Sequence, residues 1–352
     1  MKKILITGGA GFIGSHTCLT LLGNGYEVIV LDSFANSSKL SISRVKDLLR
    51  IKFPQKKALI KCIQGDIRQY DLLNNIFEIE QKSGCPIDAV IHFAGLKSVN
   101  ESISNPIKYW DVNVHGSISL FRAMQKNKCN TLVFSSSATI YGDPDKVPIV
   151  ESSEIKPVNP YGRTKANIEK ILNDLYLSSP SNWKIACLRY FNPIGAHPSG
   201  LMGEDPHDTP NNLFPYLTKV AAGKLEKLTI YGNDWPTKDG TGIRDYIHVM
   251  DLAEGHKVSL EYLECQKPQI LNLNIGNGKG FSVLEIVNTF QEVNNCKIPY
   301  VFSSRRPGDI AVSYADCRLS NKILNWRPSR TILDMCRDGW SWQVKNPNGY
   351  ES

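Results

Sequence analysis

Short apolar runs of strand character alternate along this chain with stretches whose apolar residues recur at helical spacing, and that alternation leaves few folds open. KKILIT is followed by GFIGSHTCLTLLGNG, where Ile13, Cys18, Leu21 and Leu22 keep a helical period before a glycine stop. The unit recurs as YEVIVLD with ISRVKDLLRI, ALIKCIQGD with DLLNNIFEIE, DAVIHFAG with IKYWDVNVHGSISLFRAMQK, TLVFSSS with the helix after Pro160, and a last strand KIACLRYF. Six strands alternating with helices predict a doubly wound α/β fold with a parallel sheet. Continuous runs such as VIVL and AVIHFA suit strands covered on both faces.

The first strand-to-helix turn is TGGAGFIG. It reads either as G-x-G-x-x-G from Gly9 or as T-G-x-x-G-x-x-G through Gly8, Gly11 and Gly14, and both readings bring backbone N–H groups to a pyrophosphate at the positive end of a helix. Asp32 ends the second strand 18 residues after Gly14, close to the ~20-residue separation expected of a carboxylate on the adenosine ribose of a Rossmann-type domain. That carboxylate repels a ribose 2′-phosphate, and Ser33 and Phe34 offer no cation to hold one, so NAD is expected rather than NADP. A tight turn with an acidic cap accounts for the glycines but not for the placement of the acid.

Beyond about residue 191 the chain changes to loops rich in Gly, Pro, Asn and Asp, interleaved with LFPYLTKVAAGK, LTIYG, SVLEIVNTFQEV and PYVFS. The division predicted is an NAD-binding domain over 1–190 and a smaller α/β substrate lobe over 191–352. Because DYIHVMDLAEGHKVSLEYL is amphipathic, part of the second half is expected to return to the larger domain.

The bulk numbers exclude several classes. A formal charge of +7 is dispersed, with no basic run longer than pairs such as Lys56-Lys57 and Arg305-Arg306, which argues against nucleic acid and suits a small anionic ligand. The nine cysteines are scattered without a C-x-x-C pair, which favours reduced thiols over a disulfide framework or a zinc site. The opening apolar run stops at Thr7-Gly8-Gly9, short of the ~7–15 residues of a secretory signal, and no segment approaches the ~18 apolar residues of a membrane span. A cytoplasmic protein with no membrane partner is expected. His197 and His207 flank the acidic loop GLMGEDPHD without metal-ligand spacing, and no metal is expected.

In PYGRTKANIEK, Tyr161 stands four positions before Lys165, on one face of a helix. Spacing of this kind is common on solvated helices and proves nothing alone. Joined to the glycine turn, however, it resembles the extended short-chain dehydrogenase/reductase superfamily and, almost end to end, its UDP-glucose/UDP-galactose 4-epimerase family. The stretches that carry the resemblance are GGAGFIGSHT, GDIR, VIHFAGLKSV, FSSSATIYGD, PYGRTK, RYFNPIGAHPSGLMGEDP, PNNLFPY, DGTGIRDYIHVMDLA and RRPGDI.

The resemblance implies that Ser137, Tyr161 and Lys165 are catalytic. It implies NAD contacts from Gly8, Gly11, Phe12, Ile13, Gly14, Asp32, Asn36, Ser37, Asp66, Ile67, Phe93, Ala94, Gly95, Lys97, Asn113 and Phe191, joined by the catalytic three. For the UDP-sugar it implies Lys97, Ser137, Tyr161, Asn192, Asn212, Leu213, Thr229, Ile230, Tyr231, Arg244, Arg306, Asp309 and Ser313. It also implies a homodimer. Ser313, seven residues after Arg306, corresponds to a position that sets the size of the sugar pocket in those epimerases, where a small residue leaves room for a 2-acetamido group.

A tyrosine with a reference pKa of about 10 needs nearby positive charge to act as a base at neutral pH. Lys165 is expected to supply it, with the first turn of the helix helping if Asn159 caps it and Pro160 takes its first position. Ser137 is expected to relay the proton of the sugar hydroxyl. Two other readings compete. A nucleotide-sugar 4,6-dehydratase needs acid and base groups beside the catalytic serine, where this chain has Ala138 and Thr139. A non-catalytic NAD-binding regulator would use the same fold without needing an intact Ser137, Tyr161 and Lys165.

Overall fold

The expected strands form in the computed structural model as β1 (Lys3–Thr7), β2 (Glu27–Asp32), β3 (Ile60–Gln64), β4 (Ala89–His92), β5 (Thr131–Ser137) and β6 (Lys184–Tyr190). The structure describes every residue except 56, 207–211, 307 and 352, so His207 lies outside the described residues. Helices α1 (Phe12–Gly23), α2 (Lys39–Lys52) and α3 (Tyr70–Lys82) follow the first three strands. Between β4 and β5 run α4 (Val99–Ser104), α5 (Pro106–Tyr109) and α6 (Gly116–Lys126), and α7 (Pro160–Ser178) precedes β6.

The chain divides into two units, the first comprising 1–142, 155–189 and 253–273. Its seven-stranded sheet has the order Gln269–Ile275, β6, β5, β4, β1, β2, β3. β1 pairs in parallel with β2 on one side, Ile6 opposite Val30, and with β4 on the other, Ile6 opposite Ile91. Strand order therefore reverses between β1 and β4, and the crevice at their carboxyl ends is where a doubly wound sheet binds ligands. Every residue of β1 and β4 is buried, which explains their unbroken apolar character. Leu5, Val90, Leu132 and Phe134 of the sheet pack with Leu73 and Phe77 of α3, Leu120 and Met124 of α6, and Ile168 and Leu172 of α7. Each such side chain contributes about 1.5–3 kcal/mol by leaving water.

Two elements differ from expectation. The sheet has a seventh strand, Gln269–Ile275, where six were read. It lies at the sheet edge, half-buried over its first residues and carrying Asn272 and Asn274, so it lacks the apolar run that marks a central strand. The helix expected over 107–126 is interrupted by a π turn at Trp110–His115, whose wider winding carries the buried Asn113. Asn113 accepts from Leu96 N at 2.7 Å and donates to Leu96 O at 3.1 Å, fixing the loop after β4.

The second unit comprises 143–154, 190–252 and 274–352. Strand Ile243–His248 is the hub of a four-stranded sheet, pairing with Asn192–Ile194, Gly280–Ser282 and Val312–Ser313, while Leu228–Tyr231 pairs separately and in parallel with Tyr300–Ser303. Helices Leu213–Ala221, Val283–Asn294 and Ile332–Lys345 close a core of Phe214, Ile230, Tyr246, Ile286 and Phe290. Ser282 with Glu285 and Thr331 with Asp334 form capping boxes that start the last two helices. The amphipathic segment at 245–263 covers a strand end and most of the helix Val249–Cys265, with residues from 253 onward in the first unit, where the His256 ring lies tilted with its centre 4.7 Å from that of Phe93.

Candidate active site

The glycine turn is built by close backbone approach. A Cβ on Gly8 would stand 2.7 Å from Ala94 N, and one on Gly14 would stand 2.3 Å from Gly8 O. Gly8 also has φ +70, a conformation that glycine adopts without strain. Gly11 caps α1 without a side-chain hydrogen bond, so the first N–H groups of Phe12, Ile13 and Gly14 form a bare, positive helix end. Asp32 stands beside them. Its Oδ2 accepts from Ala10 N at 2.9 Å, and its Oδ1 accepts from Phe34 N at 2.9 Å and from Ser37 Oγ at 2.8 Å. These bonds aim a buried carboxylate at the turn and leave one acceptor site, on Oδ2, that suits a ribose hydroxyl.

Other residues expected at NAD lie in the same unit. Phe93 and Ala94 follow β4, each donating its N–H to Thr7 O, and Gly95 lies 3.0 Å, measured from a built Cβ, from Asn113 Oδ1. Ile67 is buried beside Gly116, and exposed Asn36 lies in the turn after β2. Asp66 is engaged by Arg68, whose guanidinium holds its carboxyl below the usual carboxylate range. The cradle and the carboxylate fit NAD. Phe191, also expected at NAD, is buried in the second unit, where its N–H donates to Ile275 O.

Ser137 ends β5 and Tyr161 begins α7 in the first unit, and the fold joins their hydroxyls by a hydrogen bond. Asn159 caps α7 by accepting from Gly162 N at 2.8 Å and Pro160 takes the first helical position, so Tyr161 lies in the positive first turn. Ser137 Oγ accepts from Thr139 N at 3.2 Å and from Thr139 Oγ1 at 2.9 Å. Burial pushes the Tyr161 phenol above its ordinary value, opposed by that bond and by the charge of Lys97.

Lys165 is buried, and its ammonium donates to Ser135 O at 2.6 Å and lies 4.9 Å from the centre of the Phe134 ring. Burial pulls it down to about 8, against the pull of Glu169 one turn further on. The charge of Lys97 lowers the phenol, and Lys165 ties α7 to β5 one helical turn from Tyr161.

The second unit holds the residues expected at the UDP-sugar other than Lys97, Ser137 and Tyr161, which lie in the first. Asp309 accepts from Arg244 Nη2 at 3.1 Å and from Arg306 Nε at 3.0 Å, holding two guanidinium groups together. Arg306 lies 5.0 Å over the ring of the exposed Tyr231. Ser313 is in register with Arg244, and Asn192 donates to Asp245 O at 2.9 Å from the adjoining strand. Asn212 precedes helix Leu213–Ala221 without a side-chain capping bond, and along Leu228–Tyr231 Thr229 is exposed and Ile230 buried. His197 Nδ1 meets Ser199 Oγ at 2.8 Å.

Sequence reading missed Asp245. It is fully buried and accepts backbone N–H groups from Asn277, Gly278 and Ala315, tying the strand of Arg244 to the segment that follows Ser313. Burial lifts its carboxyl to about 7 against those bonds. The available signal was an acid directly before Tyr246-Ile247, within the strand Ile243–His248.

Comparison with known proteins bears on this arrangement. A family model described as GDP-mannose 4,6 dehydratase matches residues 5–339. UDP-glucose 4-epimerase of Bacillus subtilis (strain 168) is 48% identical over 355 residues, covering 99% of each chain. A structure of UDP-glucose-4-epimerase from Stenotrophomonas maltophila with bound NAD and formylated UDP-arabinopyranose superposes with a TM-score of 0.92 at 44% identity, over 99% of both chains. The UDP-glucose 4-epimerase of Bifidobacterium longum, in complex with NAD+ and UDP, gives 0.91 at 45% identity, over 99% of this chain and 100% of that one. A chain matched over its whole length, with the glycine cradle, the Ser137–Tyr161 bond and the paired arginines in place, belongs to the UDP-glucose 4-epimerase family.

Proposed function

We propose that the protein interconverts UDP-glucose and UDP-galactose by transient oxidation at carbon 4 of the hexose, with NAD as cofactor. The observation that carries this reading is the hydrogen bond between Ser137 and Tyr161 at the first turn of α7, in a unit whose glycine cradle fits NAD. Tyr161 takes the proton of the sugar's 4-hydroxyl, Ser137 relays it, and the charges of Lys97 and Lys165 favour the phenolate that receives it. Bound NAD supplies the acceptor of the carbon-4 hydride and its return. Tyr161 holds the proton while carbon 4 is a flat ketone and gives it back after the ketone has presented its other face.

Turnover of the ketone requires tight binding at the nucleotide and loose binding at the hexose. Arg244 and Arg306 are suited to the pyrophosphate by paired, charge-assisted hydrogen bonds, and the Tyr231 ring offers a face for the base. Asn192, Asn212, Leu213, Thr229, Ile230 and Asp309 complete the proposed nucleotide contacts. Ser313 is proposed to leave space for a 2-acetamido group, so that UDP-N-acetylglucosamine and UDP-N-acetylgalactosamine are also substrates. The dehydratase alternative is disfavoured because Ala138 and Thr139 follow Ser137, and Thr139 engages the serine oxygen in place of an acid.

A homodimer is proposed as the working form, supported by exposed Ile103, Ile107 and Ile118 in the connection between β4 and β5. A cytoplasmic setting is supported by nine free cysteines. Among the described residues no helix is long and apolar enough to cross a membrane. Incubation with UDP-glucose tests the function: UDP-galactose supports the epimerase, a 4-keto-6-deoxy product indicates the dehydratase, and no change indicates a non-catalytic protein.

A further inference from the structure

Behind the proposed catalytic residues lies a buried charged cluster that the reaction does not use directly. Tyr161, Lys165 and Glu169 follow one another at four-residue intervals on α7, so their side chains lie on one face. The Glu169 carboxylate and the Arg189 guanidinium are 5% and 3% exposed, and they meet as a fork: Arg189 Nη2 reaches Glu169 Oε2 at 2.7 Å and Nε reaches Oε1 at 3.1 Å. Ser136 donates to the same Oε1 at 2.5 Å, and Arg189 Nη1 donates to the Tyr141 hydroxyl at 2.9 Å. Ser136 is the residue before Ser137, and Tyr141 closes the short 3-10 turn that Ser137 begins. The cluster thus holds both ends of the segment that presents Ser137 and the helix that presents Tyr161.

We propose that Glu169, clamped by Arg189 and Ser136, is a positioning residue for the Ser137–Tyr161–Lys165 site, fixing β5 against α7 and serving as the counter-charge of Lys165. The proposal rests on the epimerase reading for its catalytic meaning. The groups around it settle the sign. Facing Lys165 are Tyr161 and Glu169 on its own helix, the Ser135 carbonyl and Phe134 ring on β5, and His92 on β4. His92 is buried, its imidazole pushed down to about 3 by burial and then by Lys165, and it is neutral at physiological pH. Facing Glu169 are Arg189 and Cys187 on β6, the thiol pushed well up by burial and stabilised as the neutral form. Glu169 is therefore the anion that steadies the Lys165 ammonium, and Arg189 partly offsets it.

Lysine labelled with 13C at Cε, with Lys165→Arg to assign the resonance, lets Lys165 be titrated by NMR in the NAD-loaded protein whether or not it epimerises anything. Glu169→Gln is expected to lower the pH at which Lys165 titrates by about one unit, and Arg189→Gln to raise it, since one removes an anion and the other frees it. The alkaline limb of kcat should follow Lys165 in each variant, with about tenfold loss for Glu169→Gln well above its new limb. Either variant reports alone if the other does not fold. A merely structural cluster would lower kcat equally at every pH and leave Lys165 titrating unchanged, or move it the same way in both variants, and either result overturns the proposal. If Lys165 shifts as expected but the protein does not epimerise UDP-glucose, the functional reading fails and the counter-charge role stands.

Discussion

Tyr161 is subject to opposing influences: burial raises its phenol, while the Ser137 hydrogen bond and the charge of Lys97 lower it. In the proposed chemistry the anion forms only as the sugar hydroxyl gives up its proton, so deleting the oxygen removes the base with little change in volume. Tyr161→Phe is expected to lower kcat by at least 100-fold with NAD content unchanged, read by single-turnover kinetics and released nucleotide. Retained turnover would remove Tyr161 from the mechanism. At Ser313, which is buried opposite Arg244, a tyrosine is expected to abolish turnover of the acetamido sugars and largely spare the plain hexoses. Measured kcat/KM on both substrate pairs decides this, and equal loss on both would show general damage.

Tyr161 could be singled out in the sequence by local chemistry, its spacing from Lys165 and the Asn159-Pro160 cap, whereas the role proposed for Ser313 came from the family resemblance alone. Glu169 was partly visible, since its interval from Lys165 is printed in the chain. Its partner was not, because Arg189 lies on another strand and only the folded sheet brings a guanidinium to that helix face.

Among the elements, the turn from β1 to α1 is the least tolerant. The Cβ of an alanine at position 14 would meet backbone of Gly8 and Gly9 at 2.3 and 2.7 Å, and no side-chain rotation relieves it. Gly14→Ala is expected to lose bound NAD and about 1–3 kcal/mol of stability, measured by nucleotide content and a denaturant midpoint. An alanine variant with full NAD and unchanged midpoint would show that the turn has slack. This element was legible because glycine spacing and strand period agree.

The π turn at 110–115 was not legible, since an apolar helical period runs through it and one residue of extra winding leaves no compositional mark. The edge strand Gln269–Ile275 was missed for a related reason. Half of it faces outward, and its asparagines reach other partners, as Asn274 Nδ2 does by donating to Ile149 O.

For the whole molecule, the glycine cradle and the Ser137–Tyr161 pair belong to the first unit and the arginine pair to the second. A cofactor regenerated at every turnover is best kept bound, and Asp32 disfavours a 2′-phosphate. Denatured protein is therefore expected to release NAD and not NADP; NADP alone would overturn the cofactor assignment. Sedimentation is expected to give twice the 39.4 kDa of one chain, and a monomer that is fully active would remove the dimer from the account.

The central claim is that carbon 4 is oxidised and reduced within one binding event. UDP-glucose carrying deuterium at carbon 4, incubated with the purified protein in ordinary water and followed by NMR, tests it most directly. The account requires UDP-galactose that retains the deuterium at carbon 4. UDP-galactose carrying solvent hydrogen there, or a ketone released without inversion, would contradict it.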